Sequence, residues 1–175
     1  MTTFKLDKVH SGVAFSVKHM MVSKAKGEFQ SFDVEVEGDI NNLEGLQVKV
    51  TVDPSSINTN NEDRDGHLRS ADFFDAEKFP TITIQSQSIK KLSDDEYEMT
   101  ALVKIKDVEK TEKFQVEFNG TSKNPMDGSM VTGFDVEGKI NREAYGLTWN
   151  AALETGGVLV GKDVKLQGNF EFVIE

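Results

Sequence analysis

Alternation of apolar and polar residues recurs along this chain and restricts what it can fold into. Val13, Phe15 and Val17 alternate with Ala14 and Ser16, and Val34, Val36 and Ile40 are separated by Glu35, Glu37 and Asp39. Leu46, Val48, Val50 and Val52 alternate with Gln47, Lys49, Thr51 and Asp53. Later runs place Tyr97, Met99, Ala101, Val103 and Ile105 on one side, then Phe114, Val116 and Phe118, then Phe134, Val136 and Ile140. The last run carries Val164, Leu166, Phe170, Phe172 and Ile174. With Thr81–Ser86 this predicts about eight strands. Successive strand side chains point to opposite faces, so each run has one apolar face to bury and one charged face for water.

So many one-faced strands need either a second sheet or closure on themselves. Closure is the expectation: an all-β fold, a closed eight-stranded antiparallel β-barrel. Eight strands enclose a space that side chains fill or that holds one small ligand. The chain has 12 Phe and 1 Trp, and Phe suits a lining with no polar atom to satisfy. An ordinary packed core explains the same Phe content. Turn chemistry at Asn41-Asn42, Ser93-Asp94-Asp95, Asn124–Gly128 and Gly156-Gly157 separates the runs. The segment 62–76 departs from strand pattern and predicts one short helix, with Asp65 as its cap and Gly66 opening its first turn. No linker or repeat divides the chain, so residues 1–175 read as a single domain.

Composition removes several classes. The net charge of −10 argues against nucleic acid and against anionic membranes as partners. No cysteine is present, which excludes disulfides, thiolate chemistry and Cys-based zinc sites but leaves the redox compartment open. No stretch approaches the ~20 apolar residues that span a bilayer, so no membrane insertion is expected. The N-terminus lacks a basic leader followed by an apolar run, so a cytoplasmic location is expected.

Motifs for chemistry are weak. Gly156–Lys162 fits part of a phosphate-binding loop, but Asp163 stands where Ser or Thr should follow, and a strand follows where a helix is required. Residues 61–72 resemble a calcium loop, with Asp72 where Glu is usual and with Arg64, His67 and Arg69 inside it. His10, His19 and His67 show no metal-ligand spacing. No nucleophile motif is present. The expectation is no metal, no cofactor, no catalytic residues and no enzyme activity.

Several strings, taken in order, resemble the YceI-like family of lipocalin-like polyisoprenoid-binding proteins. They are Leu6-Asp7 with His10-Ser11, Phe15-Ser-Val-Lys-His19, Gly27-Glu-Phe29 and Ile57-Asn-Thr59. Arg64-Asp65-Gly-His67-Leu68 leads into Ser70-Ala-Asp-Phe73-Phe74-Asp75, the most specific piece, and Phe79-Pro80 opens the strand through Ser86. Gly133-Phe134 and Ile140-Asn-Arg142-Glu-Ala-Tyr145-Gly146-Leu147 complete the match.

The resemblance implies a lipocalin-like barrel with a short helix near mid-chain. Its interior would bind, store or transport an amphiphile with a long polyisoprenoid or fatty tail. Ten buried carbons return about 8 kcal/mol at ~0.8 kcal/mol each, against an association cost of ~4–15 kcal/mol, so the tail must be long. Strand parity nominates Phe15, Val17, Phe32, Val50, Tyr97 and Met99 for the lining, with Phe118, Phe134, Phe170 and Phe172. Trp149 either plugs an end or touches the ligand. His19, Arg64, His67 and Arg142 either meet a polar head group or close the barrel by ion pairs. Two other readings stay open: an enzyme at the barrel mouth using His19 or His67, and a packed structural barrel with no ligand. An exposed edge leaves a homodimer possible.

Overall fold

The computed structural model describes residues 2–150, 153 and 159–175. It is all-β and antiparallel apart from one short α-helix and two 3-10 turns. The strands are β1 (Phe4–His19), β2 (Ser23–Phe29), β3 (Phe32–Asp39), β4 (Asn42–Val52) and β5 (Ile57–Asn58), then β6 (Ile82–Lys91), β7 (Glu96–Ile105), β8 (Val108–Lys123), β9 (Met130–Asn141) and β10 (Val160–Ile174). Helix α1 spans Glu62–Arg69.

All ten belong to one sheet, in the order β3-β4-β6-β7-β8-β9-β10-β1-β2-β5. This corrects the expected closed eight-stranded barrel: the sheet is a strongly curled half-barrel whose edges, β3 and β5, share no ladder. Two strands escaped the sequence pattern. β2 offers only Ala25 and Gly27 before Phe29 on its apolar side, and β5 is two residues long. The segment after β4 is what holds the sheet open. It leaves the β3–β4 side, adds β5 to β2 through Glu28↔Asn58 and Phe29↔Ile57, carries α1, and returns as β6 beside β4. Bonds from Asp53 N–H to Ser31 O (3.0 Å) and from Gln30 N–H to Ser56 O (3.2 Å) tie this corner together.

The helix also differs from expectation. Asn61, not Asp65, is the N-cap, accepting from Arg64 N–H at 3.1 Å. Glu62, Asp63 and Asp65 occupy the first turn and His67 and Arg69 the last, which suits the helix dipole. Asp65 is buried inside α1, where it accepts from the N–H and hydroxyl of Thr59. The helix carries little apolar surface, and polar bonds hold it in place. Arg69 donates to Ser55 O and Ile57 O. A helix over this stretch replaces the loop that a calcium site would need, and Asp72 is engaged by His67. Gly161 and Lys162 of the phosphate-loop-like string lie in β10, and residues 156–158 lie outside the described residues.

The concave face carries the main core, centred on Val52, Ile57, Ala101, Val103, Phe114, Tyr145 and Phe172. A second cluster of Leu43, Leu46 and Tyr97 packs with Phe118 and Phe134.

Candidate functional site

Strand β7 runs along the concave face from Tyr97 to Ile105, about 20 Å once a ~40° tilt is applied to ~3.3 Å per residue. The interior is not filled. A cavity of about 590 Å³ lies against it, within the ~300–1,000 Å³ usual for ligand sites. Leu43, Leu46 and Tyr97 line one end of it. The middle is walled by aliphatic and aromatic side chains from successive strands, among them Val17, Val50, Met99, Phe134, Ile140 and Phe170.

The other end is polar, and its residues form one connected set. His19 pairs with Val160 across β1 and β10. Arg142 donates to Val160 O (3.2 Å), Gly161 O (2.7 Å), Leu147 O (2.5 Å) and Trp149 O (3.0 Å). Trp149 meets the His67 ring edge-on at 4.7 Å, and His67 also packs edge-on against Phe73 at 5.1 Å. The His67 Nε2 is 2.9 Å from Asp72 Oδ2. One turn earlier on α1, Arg64 donates to the Thr59 hydroxyl (2.8 Å) and carbonyl (2.7 Å). Lys18, Asn61, Asp63 and Arg64 line this end and are exposed, so it is the mouth.

All the nominated residues line the cavity except Phe32 and Phe118. Phe32 packs edge-on against Phe170 at 6.2 Å, and Phe118 tilts against Phe134 at 5.4 Å. Both therefore stand behind lining residues. Trp149 joins the mouth cluster. Arg142 binds backbone carbonyls at the mouth and, among the described residues, makes no ion pair. Burial lowers its pKa, which the nearby Glu143 charge partly opposes. Among the described residues no fully buried side-chain nitrogen or oxygen lacks a partner.

Parity missed some lining residues. Phe73 and Phe74 follow a polar helix and belong to no alternating run. Phe29 sits on the strand whose small residues hid it. Thr59 and Asp63 reach the mouth through the 53–81 excursion. The available signal for Phe73 and Phe74 was their place in the family-like string after α1.

A curled antiparallel sheet around an apolar cavity with one polar mouth defines a lipocalin-like class. Residues 4–172 match the YceI-like domain. The UPF0312 proteins of Staphylococcus aureus strains N315 and USA300 are each 53% identical over 174 residues, covering 99% of both chains. The chain belongs to the YceI-like family. Among solved structures, Burkholderia cenocepacia BcnA superposes with a TM-score of 0.83 at 21% identity, over 95% of this chain and 99% of that one. The Campylobacter jejuni YCEI protein gives 0.69 at 29% identity, over 97% and 98%. A polyisoprenoid binding domain from Saccharophagus degradans implicated in plant cell wall breakdown gives 0.73 at 14% identity, covering both chains fully.

Proposed function

We propose that this protein binds an amphiphile with one long apolar tail, which lies in the cavity while its polar head stays at the mouth, and that it stores or carries that molecule without transforming it. The observation that supports this reading is the unfilled apolar cavity of about 590 Å³ with polar residues gathered at one end. At ~30 Å³ per water-sized atom the space takes about 20 heavy atoms, or roughly four isoprene units. Burying that many carbons returns about 16 kcal/mol, enough to offset an association cost of ~4–15 kcal/mol. The polyisoprenoid binding domain among the structural neighbours supports an isoprenoid tail over a straight acyl chain. Lys18 and His19 are the mouth groups for the head, because Arg142, His67 and Arg64 are already engaged by other groups.

The enzyme reading has less behind it, since no nucleophile motif accompanies His19 or His67. Native mass spectrometry of purified protein, before and after organic extraction and reloading with a polyprenyl quinone or polyprenyl phosphate, tests the proposal. One-to-one retention of the added lipid is expected. Protein that carries no lipid as purified and takes up neither compound would refute it.

A further inference from the structure

The β1–β2 hairpin ends in Met20, Met21 and Val22, which are 46%, 56% and 86% exposed. Single apolar residues on a surface are ordinary, but three in a row at a protruding tip are not. The turn itself does not favour them. Met20 has φ 53° and Met21 φ 64°, with Val22 N–H donating to His19 O at 3.2 Å. A hairpin turn whose two central residues are both left-handed favours Asn-Gly, and a methionine there costs conformational energy. The side chains cover no core, so folding does not account for them.

The charge around the tip is equally unusual. The chain carries 30 acidic residues, yet none lies between Lys8 and Gly27. Lys18, Lys24 and Lys26 flank the tip and are exposed. Among the described residues none of the three forms an ion pair. Lys162 of β10 lies in the same surface hollow as Lys18, Met21 and Lys24, where Lys113, Lys139 and Lys165 also stand against the carboxylates of Glu137, Glu143 and Asp163. The tip also adjoins the mouth, because Lys18 and His19 line the cavity and Met20 N–H donates to the carbonyl of the lining residue Leu159 at 2.8 Å.

We propose that this hairpin tip docks the protein on an anionic lipid surface. Met20, Met21 and Val22 enter the interfacial layer, the lysines meet lipid phosphates, and the cavity mouth faces the bilayer. Interfacial binding needs only a few apolar side chains plus basic neighbours. A stable protein interface needs ~800 Å² per partner, far more than three residues provide. The overall charge of −10 does not prevent this, because charges more than ~8 Å from the surface are screened at physiological ionic strength. The inference goes beyond lipid binding in the cavity and stands on the tip alone.

Vesicle flotation of the intact protein tests it. Flotation is expected with phosphatidylcholine vesicles that contain phosphatidylglycerol, not with phosphatidylcholine alone, and is expected to fall as salt rises. Lys18→Glu and Lys24→Glu should each weaken it by at least about five-fold. The double variant Met20→Asn, Met21→Gly suits the turn, so it should fold with an unchanged or higher melting temperature while binding falls roughly ten-fold or more. Absence of wild-type flotation, or full flotation of that double variant, would overturn the proposal. So would a dimer, seen by sedimentation without vesicles, that the double variant abolishes. Lipid uptake measured without vesicles reports on the cavity separately.

Discussion

Arg142 places a guanidinium among four carbonyl oxygens and joins the end of β9, the approach to Trp149 and the start of β10, where Asn150 also bonds Val160. Only a planar fork with five donors makes such a set. Arg142→Lys keeps the charge but loses at least two of the bonds. At ~1.5 kcal/mol for each charge-assisted bond, about 3 kcal/mol of stability should disappear in urea unfolding. His10 gives a pH-dependent counterpart at the outer surface. Its Nδ1 lies 2.8 Å from Asp7 Oδ2 and 3.4 Å from Glu171 Oε2. The hydrogen bond to Asp7, then the Asp7 and Glu171 charges, raise the His10 pKa above 6.5. The same hydrogen bond lowers that of Asp7 below 3.8. A raised histidine stabilises fully below its unfolded value and stops doing so as pH rises through the folded value. A lowered carboxylate stabilises above its unfolded value and stops as pH falls through the folded one. The pair therefore contributes most between about pH 4 and 6.5. An NMR titration should place the His10 midpoint above 6.5, and Asp7→Asn should bring it back toward that value. At this scale the sequence marked Arg142, His67 and Arg64 as special but left their roles open. The partners are backbone carbonyls, a hydroxyl and a carboxylate brought in by the fold, and carbonyls have no sequence signature.

Strands β1 and β2 show where alternation stops being legible. In β1, Asp7 pairs with Glu171 but Gly12 pairs with Asn169. The irregularity between them pushes out Val9, 88% exposed. It also switches the inward parity from Phe4 and Leu6 to Val13, Phe15 and Val17, so no single period runs through the strand. Aromatic rings over glycines hide the second signal. Phe15 lies opposite Gly27 and Phe114 opposite Gly138. A Cβ at Gly27 would sit 2.5 Å from the Phe15 ring, and one at Gly138 would collide with the ring of Phe114. The ring takes the place of the missing side chain, so a strand position that reads as weak is fully packed. Gly138→Ala should therefore force Phe114 off its site and cost about 1–3 kcal/mol. A methyl group on Gly12 would meet nothing within 4 Å, so Gly12→Ala should stay within ~0.5 kcal/mol of the parent. Thermal melts of the two variants side by side check this, and equal effects would contradict the ring-over-glycine account.

The whole molecule is an open sheet that keeps a cavity, and both properties arise from long-range placement that local pattern does not encode. Alternation made the apolar concave face legible, but whether that face closes depends on residues 53–81, which add β5 beyond β2 before the chain returns as β6 beside β4. The free edge β3 carries Asp33, Glu35, Glu37 and Asp39, and such charge discourages edge-to-edge pairing with another copy. Parity likewise identified which side chains face inward but not whether they meet. The wall stops short of its opposite side by the volume of a guest. An occupied cavity must then stabilise the folded chain, because the unfolded chain offers no cavity. At a free ligand concentration of 100 times Kd the gain is about 2.7 kcal/mol. For a chain of this size each kcal/mol raises Tm by ~2–4 °C, so loading should raise it by about 5–11 °C. Val164 lines the cavity and pairs with Val17 and Ile140 across its two neighbours. Val164→Trp should fill part of the space with protein, which leaves the unloaded Tm intact while it removes the ligand-dependent rise. A rise that persists in Val164→Trp would place the lipid elsewhere on the molecule, and no rise in the parent protein would mean that the cavity does not bind the added tail.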